Sequence, residues 1–159
     1  MPGRPGYAPG LQRHHLVPRQ VLKSAALGHM IARIGVSRLG VHDFRRNGML
    51  LPASEHAAIR FGLPLHRGPH HRYNELVMER AGQIEAQWSR QRAAGAPNAD
   101  IEALMRFDLL QCALRRRLLD PRSWARTPLN ARDPALDFSH LEAMAETLWS
   151  ATAWDAQAA

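Results

Sequence analysis

The chain has 159 residues, 45% of them hydrophobic and 22% charged, enough for one domain with its own core and too apolar for a disordered segment. Its one cysteine, Cys112, excludes an intrachain disulfide framework and a cysteine-based zinc finger. The formal net charge of +7 is uneven: residues 1–95 carry fourteen Lys or Arg against five Asp or Glu, and residues 96–159 seven against nine. Codon bias toward arginine would act on both parts equally, so the lopsided excess favours a polyanionic partner for the N-terminal part.

In chain order, residues 1–10 hold three prolines and three glycines and read as a flexible arm. A short extended piece at 11–17 is ended by Pro18. From Arg19, the apolar positions Val21, Leu22, Ala25, Met30, Ile31 and Ile34 predict a helix that Gly35 stops. Residues 35–46 read as a connector, Asn47-Gly48 as a turn, and Met49-Leu50-Leu51 as a brief strand ended by Pro52. Ser54 caps a short helix to about Arg60. Gly68-Pro69 then opens a long helix to about Ala93, with Tyr73, Leu76, Val77, Ile84 and Trp88 on one face. Asn98 is placed to cap another helix, in which Ile101, Leu104, Met105, Leu109 and Cys112 form the expected core stripe. Ser139-His140-Leu141-Glu142 is a capping-box pattern for a last amphipathic helix carrying Leu141, Met144, Leu148 and Trp149.

Eight of the nine histidines fall within residues 14–71, grouped as His14-His15 and as His66, His70 and His71. Neutral imidazole is the commonest metal ligand and the usual proton acceptor near neutral pH. His14 and His15 would face opposite sides of a regular strand, so both serve one cleft only where the strand ends, as Pro18 allows. One of the pair could then hold a metal and the other act as base. The alternative is two unrelated histidines. Gly68 and Pro69 put His66 in a loop and His70 in the first helical turn, so the two could meet a strand ligand on one ion. Three imidazoles with open positions is a catalytic arrangement rather than a closed structural one. His56 could reach the same site, while His71 reads as a surface histidine at the helix entry. Next to a helix start, a neutral imidazole is the expected form. His29, His42 and His140 have no companions at useful spacing and read as structural or exposed.

Three blocks carry a resemblance. His14-His15-Leu16-Val17-Pro18, then Asn47-Gly48-Met49-Leu50-Leu51-Pro52, then His66-Arg67-Gly68-Pro69-His70-His71-Arg72-Tyr73 together resemble the AHH nucleases of the HNH/endonuclease VII superfamily, which occur largely as bacterial toxin domains. The likeness covers about residues 9–92. It implies an α+β, predominantly helical protein: a small ββα-metal nuclease core with additional C-terminal helices. The expected division is an arm at 1–10, a nuclease domain at 11–94 and a helical extension at 95–159 packing on the core.

By that resemblance His14, His66 and His70 would hold one divalent ion (Mg²⁺, Mn²⁺ or Zn²⁺), with His71 and His56 as substitutes. His15 would activate water, and Asn47 would brace the site or orient the base. Arg13, Arg19, Arg67 and Arg72 would contact nucleic-acid phosphates. Arg13 stands where the family has the alanine of its name. The implied activity is a metal-dependent endonuclease, a non-specific DNase acting as an antibacterial toxin with a cognate immunity protein. The alternatives are an RNase of the same fold and a non-catalytic zinc-stabilised nucleic-acid-binding module. No apolar run approaches the ~18 residues of a spanning helix, and no signal-peptide pattern opens the chain. The expected setting is a bacterium, with action in the cytoplasm, either of the producing cell or of a target cell reached by specialised secretion.

Overall fold

Two short strands pair antiparallel: β1 (Leu11–His15) with β2 (Gly48–Pro52), His14 opposite Met49 and His15 opposite Gly48. The computed structural model describes residues 9–66 and 70–122. Between the strands run two 3-10 turns (Arg19–Lys23 and Ala25–Leu27), α1 (Gly28–Ile34), α2 (Val36–Leu39) and α3 (Phe44–Asn47). After β2 come α4 (Glu55–Phe61), α5 (His71–Ala93) and α6 (Ala99–Leu119). The protein is thus α+β and mostly helical, with both strands in one small sheet. Among the described residues no helix is long and apolar enough to cross a membrane.

The helix expected from Arg19 begins only at Gly28. Ser24 adopts an extended conformation (ψ 120°), and the bonds from Ser24 N to Val21 O and Leu27 N to Ser24 O close tighter turns instead. Those turns drop both Val21 and Leu27 into the core. Gly35 does stop α1, with a φ of 92° that other residues rarely adopt. The expected connector at 35–46 contains α2 and α3, the latter capped by Asp43, whose carboxylate accepts from Arg45 N. Ser54 caps α4 as expected, accepting from Ala57 N. Asn98 occupies the predicted cap position of α6 without using its side chain as the cap. The arm before residue 9, the Gly68-Pro69 opening and the capping box at Ser139 lie outside the described residues.

Asn47-Gly48 is not a surface turn. Asn47 ends α3 fully buried, and Gly48 starts β2 in an extended conformation (φ −134°). Glycine is required at 48 for space: a Cβ there would lie 2.0 Å from Phe44 Cδ2. The Asn47 amide accepts from Val17 N (2.7 Å) and donates to Val17 O (2.9 Å) and Val41 O (2.8 Å). Its backbone carbonyl accepts from Leu16 N. One side chain therefore ties the end of β1 to the segment entering β2.

The α6 stripe is also corrected. Ile101, Met105 and Leu109 are 55%, 59% and 66% exposed, and Cys112 is exposed too. The buried side is Ala99, Ala103, Phe107, Leu114 and Leu118, almost opposite at 100° per residue. Both faces of this helix are apolar, so periodicity could not choose between them. Polar tethers do: Trp88 donates to Asp100, and Gln87 and Gln91 to Glu102. Further along α6, Gln111 donates to Leu39 O, Arg115 donates to the Arg45 and Arg46 carbonyls, and Asp108 pairs with Arg46. Thus α6 shares one core with β1 and β2 and grips the chain just ahead of Asn47.

Replacing Asn47 by Ala would leave the Val17 and Val41 groups buried and unpaired, at roughly 1–3 kcal/mol for each such group. The expected result is a Tm drop of about 8 °C or more, measured by thermal unfolding of N47A. A Tm indistinguishable from that of the unsubstituted protein would contradict the bracing role.

Candidate metal centre and active site

Strand β1 alternates its side chains, so Gln12 and His14 share one face while Arg13 and His15 share the other. His14 points inward and is 4% exposed. His66 reaches the same place because its backbone N donates to Pro52 O at the end of β2 (2.7 Å). His70 is the residue that precedes α5, and its carbonyl accepts the helix bond from Asn74 N. One ligand atom from each of His14, His66 and His70 lies within 4.8 Å of the other two. Three imidazoles gathered this closely are a donor set that a divalent ion would fit.

The rings meet closely: 5.0 Å between the centroids of His14 and His66, 5.6 Å for His14 and His70, and 4.6 Å for His66 and His70. Among the described residues, His14 Nε2 is the buried side-chain polar atom left with no hydrogen-bond partner. A buried, orphaned imidazole nitrogen is costly unless something accepts its lone pair. A divalent cation does so, and the residues present fit one.

The surroundings tune the three rings. Burial first, then the neighbouring His66, His70 and His15, depress His14 to a pKa of about 3. Burial and His70 depress His66 to about 4. Both are therefore neutral and ligand-competent at pH 7. His66 Nδ1 lies 3.0 Å from Gln12 Oε1, and with Nδ1–H donating, Nε2 keeps the lone pair. Such outer hydrogen bonds fix tautomer and ring orientation at metal sites. Tyr73 packs its ring edge on His14 (5.1 Å) and donates its hydroxyl to Leu16 O (2.7 Å). Burial pushes the Tyr73 hydroxyl pKa upward, so it stays a donor.

His15, the last residue of β1, lies against Phe44 (6.1 Å between centroids) and outside the triad. Burial, then Arg19, Arg13 and His42, lower its pKa. His71 is exposed at the start of α5 and His56 is exposed on α4; neither joins the cluster. Asn47 spends its side chain on main-chain groups two residues beyond His15. Arg13, Arg19 and Arg72 are exposed, and Arg67 lies outside the described residues. Sequence reasoning missed Gln12 and the ring contact of Tyr73 with His14. Gln12 could have been found from strand alternation alone, two residues before His14.

Linkage gives these shifts a sign. In the unfolded chain His14 and His66 take up protons near 6.5, whereas the folded protein refuses them until about 3 and about 4. Stability is full above pH 6.5 and is lost as pH falls below it. The Tm of the metal-free protein should fall steadily from pH 7 to pH 4.5, and H14Q should flatten that slope. A flat profile in the unsubstituted protein would contradict the burial of neutral imidazoles.

Residues 1–106 match the model of a nuclease family of the HNH/ENDO VII superfamily with conserved AHH. No curated protein and no solved structure matches the chain significantly. The match covers two thirds of the sequence and includes the two strands, all three triad histidines and the whole of α5. Both His-His pairs of the chain, His14-His15 and His70-His71, lie inside the matched residues. The chain belongs to the AHH nucleases of the HNH/ENDO VII superfamily and is a metal-dependent enzyme that hydrolyses phosphodiester bonds.

Proposed function

We propose that the protein is a DNA endonuclease of low sequence preference, working with one divalent ion at His14, His66 and His70 and with His15 as general base. The observation that carries this reading is the convergence of those three ligand atoms, one of them buried and unpartnered, in a member of a nuclease family. His14, His66 and His70 would hold the ion, which would supply electrostatic stabilisation of the negative charge that develops during phosphodiester hydrolysis. His15 accepts a proton from the attacking water on an imidazole nitrogen. Its lowered pKa keeps the ring in the neutral, proton-accepting form at pH 7. Asn47 holds the main chain at Val17, and with it the end of the strand that carries His15. Tyr73 and Gln12 hold the rings of His14 and His66 in place.

The exposed guanidiniums of Arg13, Arg19 and Arg72 supply contacts to backbone phosphates, joined by Arg67. Contacts of that kind carry affinity without reading bases, which supports low sequence preference. The lopsided positive charge supports a nucleic-acid substrate, and the resemblance to nucleases that occur largely as bacterial toxin domains leads us to propose an antibacterial toxin acting in the cytoplasm of a target bacterium. A cognate immunity protein would then protect the producer.

Plasmid cleavage in Mg²⁺, Mn²⁺ or Zn²⁺, paired with metal binding by calorimetry, tests the reading. H15A should bind the ion normally and cut about 10²–10⁴-fold more slowly. H14A should lose both binding and cleavage. An enzyme that cuts only RNA would overturn the DNA assignment. Metal binding with no cleavage of any nucleic acid would reduce the triad to a structural site. Expression in a bacterium without the immunity protein should arrest growth, and H15A should not.

A further inference from the structure

The face of β1 opposite the triad carries a second construction. Arg13 and His15 lie two residues apart on it, about 6.6 Å along the strand. The Arg13 guanidinium carbon sits 3.9 Å from the centre of the Phe44 ring, and the same ring meets the His15 imidazole edge-on (6.1 Å, 78°). Phe44 in turn lies on the backbone of Gly48, the strand partner of His15, at a spot where a Cβ would come within 2.0 Å of it. Four residues therefore make one unit: a bare backbone position seats an aromatic ring, and the ring seats a cation beside an imidazole.

Stacking occupies the face of a guanidinium and leaves its edge N–H donors available. No carboxylate pairs with Arg13 among the described residues, in contrast to Arg33, Arg46 and Arg106, each of which holds an acidic partner. Arg19 adds a second exposed cation near His15.

We propose that Arg13, held by stacking on Phe44, forms a phosphate subsite beside His15 that binds the nucleic-acid backbone at or next to the phosphate being cut. Phe44 is a positioning residue in this subsite, and Gly48 is the gap that admits it. The subsite rests on the nuclease reading above and deepens it: it names the cation that fixes the substrate relative to the base.

The test measures steady-state cleavage of a short DNA duplex and the salt dependence of KM for R13A, F44L, F44Y and the R13A/F44L double variant. R13A should raise KM about tenfold and flatten the slope of log KM against log salt by about one. F44L should reproduce most of that effect, F44Y should restore it, and the double variant should be no worse than R13A alone. Metal affinity should not change in any of them. An unchanged KM and salt slope in R13A would overturn the subsite. So would an F44L effect that simply adds to that of R13A, because the ring would then act independently of the cation. Failure of the nuclease reading looks different: the unsubstituted protein itself would cut no nucleic acid.

Discussion

The side chain of Asn47 is the constraint on which the rest of the site depends. Its amide closes three hydrogen bonds to the main chain at Val17 and Val41, and it is fully buried. Together with the bond from Leu16 N to its own carbonyl, it pins the end of β1 against the start of β2. Everything chemical radiates from that joint. His14 and His15 are the last two residues of β1, Tyr73 is bonded to Leu16 just beyond them, and Gly48 follows Asn47 directly. Burying an amide is unfavourable unless its donors and acceptor are all paired. Here they are, and the pairing selects one geometry for the loop.

The joint also solves a problem of alternation. Adjacent strand residues point to opposite faces, so His14 and His15 cannot share one pocket wall. The fold uses both faces instead. The inner face gathers His14, His66 and His70, with Gln12 and Tyr73 holding the rings. The outer face carries His15 beside Arg13, both against Phe44. The histidine triad and His15 thus lie on either side of a single strand end, in a sheet that among the described residues is two strands wide. The support reaches further than the family match, because Asp108, Gln111 and Arg115 on α6 hold the segment from Leu39 to Arg46 that leads into Asn47.

Much of this was legible in the residues. The histidine blocks, with their intervening Pro, Gly and Tyr, marked the triad, and helical periodicity marked α5 almost to the residue. Where the sequence misled, two physical causes operated. Asn-Gly has a strong turn preference, yet at Asn47-Gly48 tertiary bonding took the amide and the Phe44 ring took the space above the glycine. On α6, two apolar stripes competed, and the winner was set by partners distant in sequence: Trp88, Gln87 and Gln91 on α5. Gln12 and Phe44 were illegible for a related reason. Neither belongs to a recognisable motif, and each acts only because the pairing of β1 with β2 brings it to a histidine. The sequence reading already put His70 ahead of His71, and the structure brings His70 to His14 and His66 while His71 is exposed.

The central claim is that three imidazoles from β1, the loop after α4 and the start of α5 hold one ion while His15 stays apart. Anomalous diffraction from crystals grown with Mn²⁺ or Zn²⁺ measures this directly. The account predicts one strong peak bonded to His14, His66 and His70, with no direct bond to His15, His56 or His71. A peak that includes His15 or His71 as a ligand, or one lying away from His14, would contradict it.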